Sequence, residues 1–289
     1  MEPLARVLGL PCWQGAVRAE PLGGGLTNQN FLVQDGARRA VVRIGEDIPV
    51  HQILRSNELA ASIAAHAAGV SPEVIYHERG ALVIGFVEGR TLSAADFAEA
   101  AVLEEAVALV AQAHREIPRF FRGPAMLFWV FQVLRDYTAR LEDEGTQYLP
   151  LLAELTLEAG LLEAAVGQVD LVFGHNDLLP ANFIHDGTRM WLIDWDYAGF
   201  NSPLFDLGGL AANNGLTVAQ ESLVLQQYFG SIDGALWRRY LAMKAAAALR
   251  ETLWSMVSET HSELDFDYAT YTATNLATYR AAFAAFAES

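Results

Sequence analysis

The chain has 289 residues, 52% of them hydrophobic, with 35 acidic against 19 basic side chains and a formal net charge of -16 at pH 7. That length suits one large domain or two lobes around a cleft. The acidic balance argues against nucleic acid and anionic lipid as partners and favours cationic ligands, although acidity for solubility alone is the plainer account.

The single cysteine, Cys12, excludes an internal disulfide and a thiolate zinc cage. Residues 1–10 lack a basic start followed by an apolar run, so no signal peptide is expected. The longest apolar stretches, such as residues 242–249, are interrupted by Lys244 and too short to span a bilayer. The expectation is a cytoplasmic protein.

In chain order, residues 16–22 and 30–34 read as strands flanking Gly23-Gly24-Gly25. Asp35-Gly36 is a tight hairpin signal, and residues 39–44 follow as a β-branched strand. Residues 51–68 carry Ala, Leu and Ile at helical spacing, stopped by Gly69. Short strands at 73–76 and 81–86, parted by Gly80, complete a strand-rich unit that ends near Val87-Glu88-Gly89. From Ser93 the pattern changes to Ala/Leu-rich helices over residues 94–115, 126–142, 149–166, 218–229, 235–257 and 268–286. Two apolar strands, 171–173 and 189–193, interrupt them, with the Asp186-Gly187 turn between. The expected class is α+β. Residues 1–88 would form a small antiparallel-sheet lobe with one helix, and residues 89–289 a larger, mainly helical lobe.

The chemistry concentrates in that interruption: Gly174-His175-Asn176-Asp177-Leu178-Leu179-Pro180-Ala181-Asn182, then Leu192-Ile193-Asp194-Trp195-Asp196. Polar side chains in a loop between buried strands can meet a ligand while the strands hold them still. Asp177 can accept or orient the proton of an attacking hydroxyl, and Asn182 and Asp194 are hard oxygen ligands of the kind Mg²⁺ prefers. Each alone reads as a turn former or a helix cap. Together they follow the order His-x-Asp-x-x-x-x-Asn and a later Asp, the catalytic and metal-binding order of the protein-kinase-like fold. His175 reads as a structural residue holding the loop. Gly23 to Asn28 could cover nucleotide phosphates with backbone N–H groups, although the run completes neither G-x-G-x-x-G nor a P-loop. Arg43 stands in the following strand where kinases carry a phosphate-binding lysine. Glu58, in the next helix, is placed either to pair with it or on a solvated face.

These stretches carry a family resemblance. Gly24 to Phe31, Val41-Val42-Arg43-Ile44, His175 to Asn182, Ile193 to Gly199, Phe205-Asp206-Leu207-Gly208 and Leu253-Trp254-Ser255 resemble the choline/ethanolamine kinase group of the aminoglycoside-phosphotransferase-like kinases. The resemblance covers about Gly23 to Tyr279. It implies a two-lobed protein-kinase-like fold with ATP in the cleft, Asp177 as catalytic base, and Mg²⁺ on Asn182 and Asp194. Nucleotide contacts would come from Gly25, Thr27, Asn28 and Asn30, from Arg43 with Glu58, and from the hinge residues Phe86 and Val87.

The resemblance also implies a small cationic alcohol as acceptor, choline foremost. An onium head is held by aromatic faces and nearby carboxylates. Trp254, Tyr271 and Tyr197 are candidate walls and Asp196 a candidate counter-charge, although aromatics at helical spacing also read as core. Two departures stand out: Glu251 where the family often has a second tryptophan, and Asn213 where it tends to have an acid. Either Glu251 supplies the missing carboxylate, or the pocket takes ethanolamine, thiamine or another alcohol. An aminoglycoside kinase and a catalytically silent metabolite-binding relative remain as rival readings.

Overall fold

The computed structural model describes residues 2–23, 28–262, 264 and 266–289. Its N-terminal sheet has five antiparallel strands in the order β1-β2-β3-β5-β4, namely β1 Val17–Leu22, β2 Gln29–Asp35, β3 Arg38–Ile44, β4 Val74–Glu78 and β5 Ala81–Gly85. The β2–β3 register closes on Asp35↔Arg38. Gly36 between them takes φ +61°, the positive value that a two-residue hairpin of type II′ requires at its first central position. Strand alternation turns Ala40, Val42 and Val83 toward one face, where they pack with Val7 and Leu10. Val7 belongs to α1, Pro3–Leu8, a short helix the sequence did not announce. The other face carries Arg43, opposite Asn30 on one side and Leu82 on the other.

Helix α2, Arg55–Ala67, starts later than residue 51, because 49–51 form a 3-10 turn and Gln52 takes φ 59°. Beyond β6, Arg90–Thr91, the chain is mainly helical: α3 Ala100–Phe120, α4 Val130–Glu144, α5 Leu149–Val166, α6 Pro203–Asn214, α7 Val218–Phe229, α8 Gly234–His261 and α9 Tyr268–Ala287. The strand-loop-strand element is richer than expected. β7, Val172–Gly174, pairs with β10, Gly199–Asn201, while β8, Phe183–His185, pairs with β6 and with β9, Met190–Leu192. Together these elements form a two-lobed kinase-like α+β fold.

α8 is the axis of the helical lobe. It packs against α4, α5, α6 and α9 and is buried almost continuously from Tyr240 to Ser258. A helix apolar on all sides belongs inside a core. Its crossing with α6 is close enough that a Cβ added at Gly208 would stand 2.8 Å from Lys244 Cα.

Candidate active site

The catalytic-loop segment is anchored from beneath. Asp206, in the first turn of α6, accepts the main-chain N–H of His175 and of Asn176, each at 2.7 Å, and lies 2.9 Å from His114 Nε2 on α3. Burial alone would raise the Asp206 carboxyl, but these bonds hold it below the usual range. Asn176 takes φ 66°, and its amide donates to the carbonyls of Tyr197 and Gly199. The His175 ring bonds the Ile193 carbonyl at 2.9 Å, the structural role expected of it. Ser71 donates to the Leu192 carbonyl and accepts from Trp195 Nε1, so β9 is held at the level of the loop.

On this base the three motif residues converge. Asn182 donates from Nδ2 to the Asp177 carbonyl at 2.8 Å, and its own carbonyl accepts the Ile193 N–H at 3.0 Å, one residue before Asp194. Asp194 takes φ 70°, a left-handed conformation that most side-chain-bearing residues avoid, that aspartate tolerates, and that recurs at functional sites. Among the described residues, the Nδ2 bond leaves Asn182 Oδ1 available, and Asp194 uses only Oδ1, toward Arg43. Among the described residues no group of three or more His, Cys, Asp or Glu side chains forms a metal cluster. One amide and one carboxylate oxygen with ligand oxygens completing the shell is a donor set that Mg²⁺ accepts. Burial raises the Asp194 carboxyl despite the opposing charge of Arg43. Asp177 is likewise raised by burial, to about 7, although the Arg250 guanidinium pulls it down.

Arg43 is the centre of a cluster that joins the lobes. Its Nη1 is 2.9 Å from Glu58 Oε1, and its Nη2 is 2.8 Å from Asp194 Oδ1 and 3.1 Å from Asp196 Oδ1. Arg55 reaches Glu58 at 2.8 Å and Asp196 at 2.9 Å, and Asn28 donates to Asp196 Oδ2 at 3.3 Å. Burial would lower the Arg43 pKa, but the three carboxylates hold it above normal. Burial raises Glu58 to about 7 against the pull of Arg43. The pairing of Arg43 with Glu58 is thus made. Asp196 sits with this cluster, not with Trp254 and Tyr271 as a counter-charge. Asn30 stands beside Arg43 across the β2–β3 ladder, with its Oδ1 buried and unpartnered among the described residues. Gly25 and Thr27 lie outside the described residues.

Phe86 and Val87 line a cleft of about 560 Å³ with Pro72, Glu73, Asp186 and Trp191, and neither Arg43 nor Asn182 nor Asp194 lines it. The Phe86 N–H donates to the Arg39 carbonyl, while the Val87 N–H has no partner among the described residues.

On the other side of Asp177 the remaining expected residues assemble. Trp254 Nε1 donates to the Tyr197 hydroxyl at 2.8 Å, and the Trp254 and Tyr271 rings meet edge-on at 6.4 Å. Tyr271 donates to Glu251 Oε1 at 2.7 Å. Asn213 donates to the Leu178 carbonyl at 3.4 Å. Sequence reasoning missed Arg250, whose Nη1 lies 3.3 Å from Asp177 Oδ1 and 2.9 Å from Glu251 Oε2. It also missed Arg55 and the His114–Asp206 tie. The available signal was an arginine closing the apolar run Ala245 to Leu249 on a helix otherwise made for the core.

A phosphotransferase enzyme family model matches residues 18–248, most of the chain. The chain belongs to that family. It is 27% identical over 258 residues to the protein LicA of Haemophilus influenzae, covering 85% of this chain and 75% of that one. With probable ethanolamine kinase A of Dictyostelium discoideum it shares 25% over 288 residues, covering 87% and 81%. The solved choline/ethanolamine kinase family protein of Mesorhizobium loti superposes with a TM-score of 0.79 at 28% identity, covering 97% and 93%. The choline kinase LicA of Streptococcus pneumoniae, at 22% identity and TM-score 0.78 over 98% and 97%, shares the fold. The resemblance read from the motifs is therefore met, and the chain is a phosphotransferase. No described helix is long and apolar enough to cross a membrane.

Proposed function

We propose that this chain transfers the terminal phosphoryl group of ATP to the hydroxyl of a small alcohol. The observation that carries the reading is the meeting of Asp177, Asn182 and Asp194 beneath Arg43, with Asp177 tied through Arg250 to the Tyr197 and Trp254 rings. Among the described residues no donor reaches Asp177 Oδ2, which would accept the hydroxyl proton as the nucleophile attacks. A carboxyl lifted to about 7 by burial shifts the proton balance toward uptake at neutral pH. Asn182 Oδ1 and Asp194 would hold Mg²⁺, which neutralises charge on the transferring phosphate oxygens. Arg43, fixed by Glu58, offers its guanidinium to the phosphates. Asn28 and Asn30 would add contacts to them. The open Val87 N–H and the Phe86 carbonyl are the groups offered to adenine, with the lobe boundary set near Glu88.

The names of the relatives support choline and ethanolamine among the candidates, choline first, and thiamine stands beside them as a further cationic alcohol. The aromatic half of an onium site, Trp254 and Tyr271, is assembled, while its carboxylate half, Glu251, is already engaged. ATP supply favours work in the cytoplasm. ADP release measured against choline, ethanolamine, thiamine and an aminoglycoside tests the reading. At least one small alcohol should drive release, and Asp177→Ala should lower it by roughly 10²- to 10⁴-fold with ATP binding retained. Undiminished turnover in that variant would remove Asp177 from the mechanism.

A further inference from the structure

His51 ends the 3-10 turn between β3 and α2, and it is buried. Two helices of the larger lobe hold its ring. Nδ1 lies 3.2 Å from the Tyr137 hydroxyl on α4, and Nε2 lies 3.1 Å from the Ser258 hydroxyl on α8. A neutral imidazole meets both hydroxyls, one nitrogen donating and the other accepting. Burial, with the charge of Arg250 next, pushes the ring down to about 3, so it is uncharged at neutral pH.

The same ring lies against Trp254. Their centroids are 5.0 Å apart and their planes meet at 31°, whereas Tyr268 and Tyr271 meet the indole at 54° and 85°. Among the described residues His51 therefore comes nearest to stacking on the indole face, while the Tyr197 hydroxyl holds the N–H edge at 2.8 Å. The hydroxyl fixes where the edge points, and the imidazole fixes the plane. An uncharged ring suits that place, because it does not repel a cation that docks on the indole. His51 and Trp254 also line one cleft of about 690 Å³, with Asn28, Ile44 and Gly45 on its small-lobe side. Asn28 in turn bonds Asp196 in the Arg43 cluster, and Arg43 and His51 lie on one short run of chain.

We propose that His51 is a positioning residue for the acceptor: it sets the plane of Trp254 and, through the run from Arg43, keeps that wall in register with the phosphate site. The assignment rests on the kinase reading above, with Trp254 as a wall for a cationic alcohol, and adds the residue that orients the wall. Without the ring, the indole can tip about its bond to Tyr197, and a cation docked on it loses part of its attraction. The loss falls on acceptor binding. Asp177 and the nucleotide contacts are spared.

The test is steady-state kinetics with choline and ethanolamine as acceptors. His51→Leu should raise the acceptor KM by about 3- to 10-fold, with kcat and the KM for ATP within about 2-fold of wild type. His51→Phe keeps a flat ring on the indole without the hydrogen bonds, and it should restore most of the acceptor KM even where its Tm is lower. In a Trp254→Leu background, His51→Leu should change the acceptor KM by less than about 2-fold, because the residue it acts through is gone. An acceptor KM unmoved in His51→Leu overturns the proposal, as does an ATP KM that rises with it. So does a His51→Phe no better than His51→Leu, or a full effect of His51→Leu in the Trp254→Leu background. Should His51→Leu fail to fold, His51→Gln, polar but without a ring, takes its place with the same expectations and the same refutations. If neither alcohol yields ADP, the kinase reading of this pocket falls separately. Calorimetric binding of choline to the wild type and to His51→Leu then decides: a Kd weakened by about 3- to 10-fold supports the proposal, and an equal Kd or no binding to either overturns it.

Discussion

Replacing Arg43 by alanine removes the shared partner of three carboxylates, two of them, Glu58 and Asp196, with side chains no more than 4% exposed. Arg55 still reaches both Glu58 and Asp196, so they keep one cation, while Asp194 loses the pair it makes at 2.8 Å. Breaking a buried pair from one side costs about 3–5 kcal/mol, and here three carboxylates lose a shared cation: buried Glu58 and Asp196 are left with Arg55 alone, and Asp194, 33% exposed, with water. At an unfolding entropy of about 2.1 cal/mol/K per residue, a chain of this size should lose about 5–8 °C in Tm if it unfolds in a single step. Thermal unfolding followed by circular dichroism reads that shift directly. Arg43→Ala combined with Glu58→Gln should recover part of the loss, since the second change removes one of the stranded charges. A Tm within about 1 °C of wild type for Arg43→Ala would refute the view that this cluster binds the lobes. So would a double variant no more stable than the single one.

Two further outcomes follow from the geometry. Burial holds the Asp177 carboxyl at about 7, above its unfolded value, so its contribution to stability is fully present below about pH 4 and lost as pH rises through about 7. Asp177→Asn should therefore melt with the wild type near pH 4 and above it at pH 8; identical curves across the range would contradict the burial argument. Gly208→Ala would push a methyl to 2.8 Å from the Lys244 backbone, and backbone cannot swing aside. Chemical denaturation should report a loss of about 1–3 kcal/mol, and an unchanged midpoint would show that α6 and α8 can part without cost.

The strand-loop-strand element was readable because apolar runs bracket a dense polar loop, and the spacing of Asp177, Asn182 and Asp194 survives any error in strand ends. α6 was not readable. Its Pro203 and the Gly208-Gly209 pair look like helix breakers, yet Pro203 is tolerated in the first turn, the Ser202 hydroxyl accepts from the Leu204 N–H, and Gly208 is what lets α8 approach. α1 escaped notice because six residues give too short a pattern. Asp196 is read as a counter-charge beside Tyr197 in the sequence, but the two occupy a turn closed by the Ala198 N–H on the Trp195 carbonyl, which sends Asp196 to Arg43 and Tyr197 to Trp254. Arg250 was invisible for a different reason. Along a helix buried on every side, periodicity assigns no face, so an arginine there reads as exposed until the fold surrounds it.

The positive φ of Asp194 narrows what this position can become. A β-branched or bulky side chain there would strain the backbone before its chemistry was ever tested, and only glycine, asparagine and aspartate enter that conformation with ease. Glycine would bring no oxygen, and asparagine would bring one without the charge that answers Arg43. The turn itself therefore guards the identity of the residue. A functional replacement has to be sought by moving the loop, not by changing the letter.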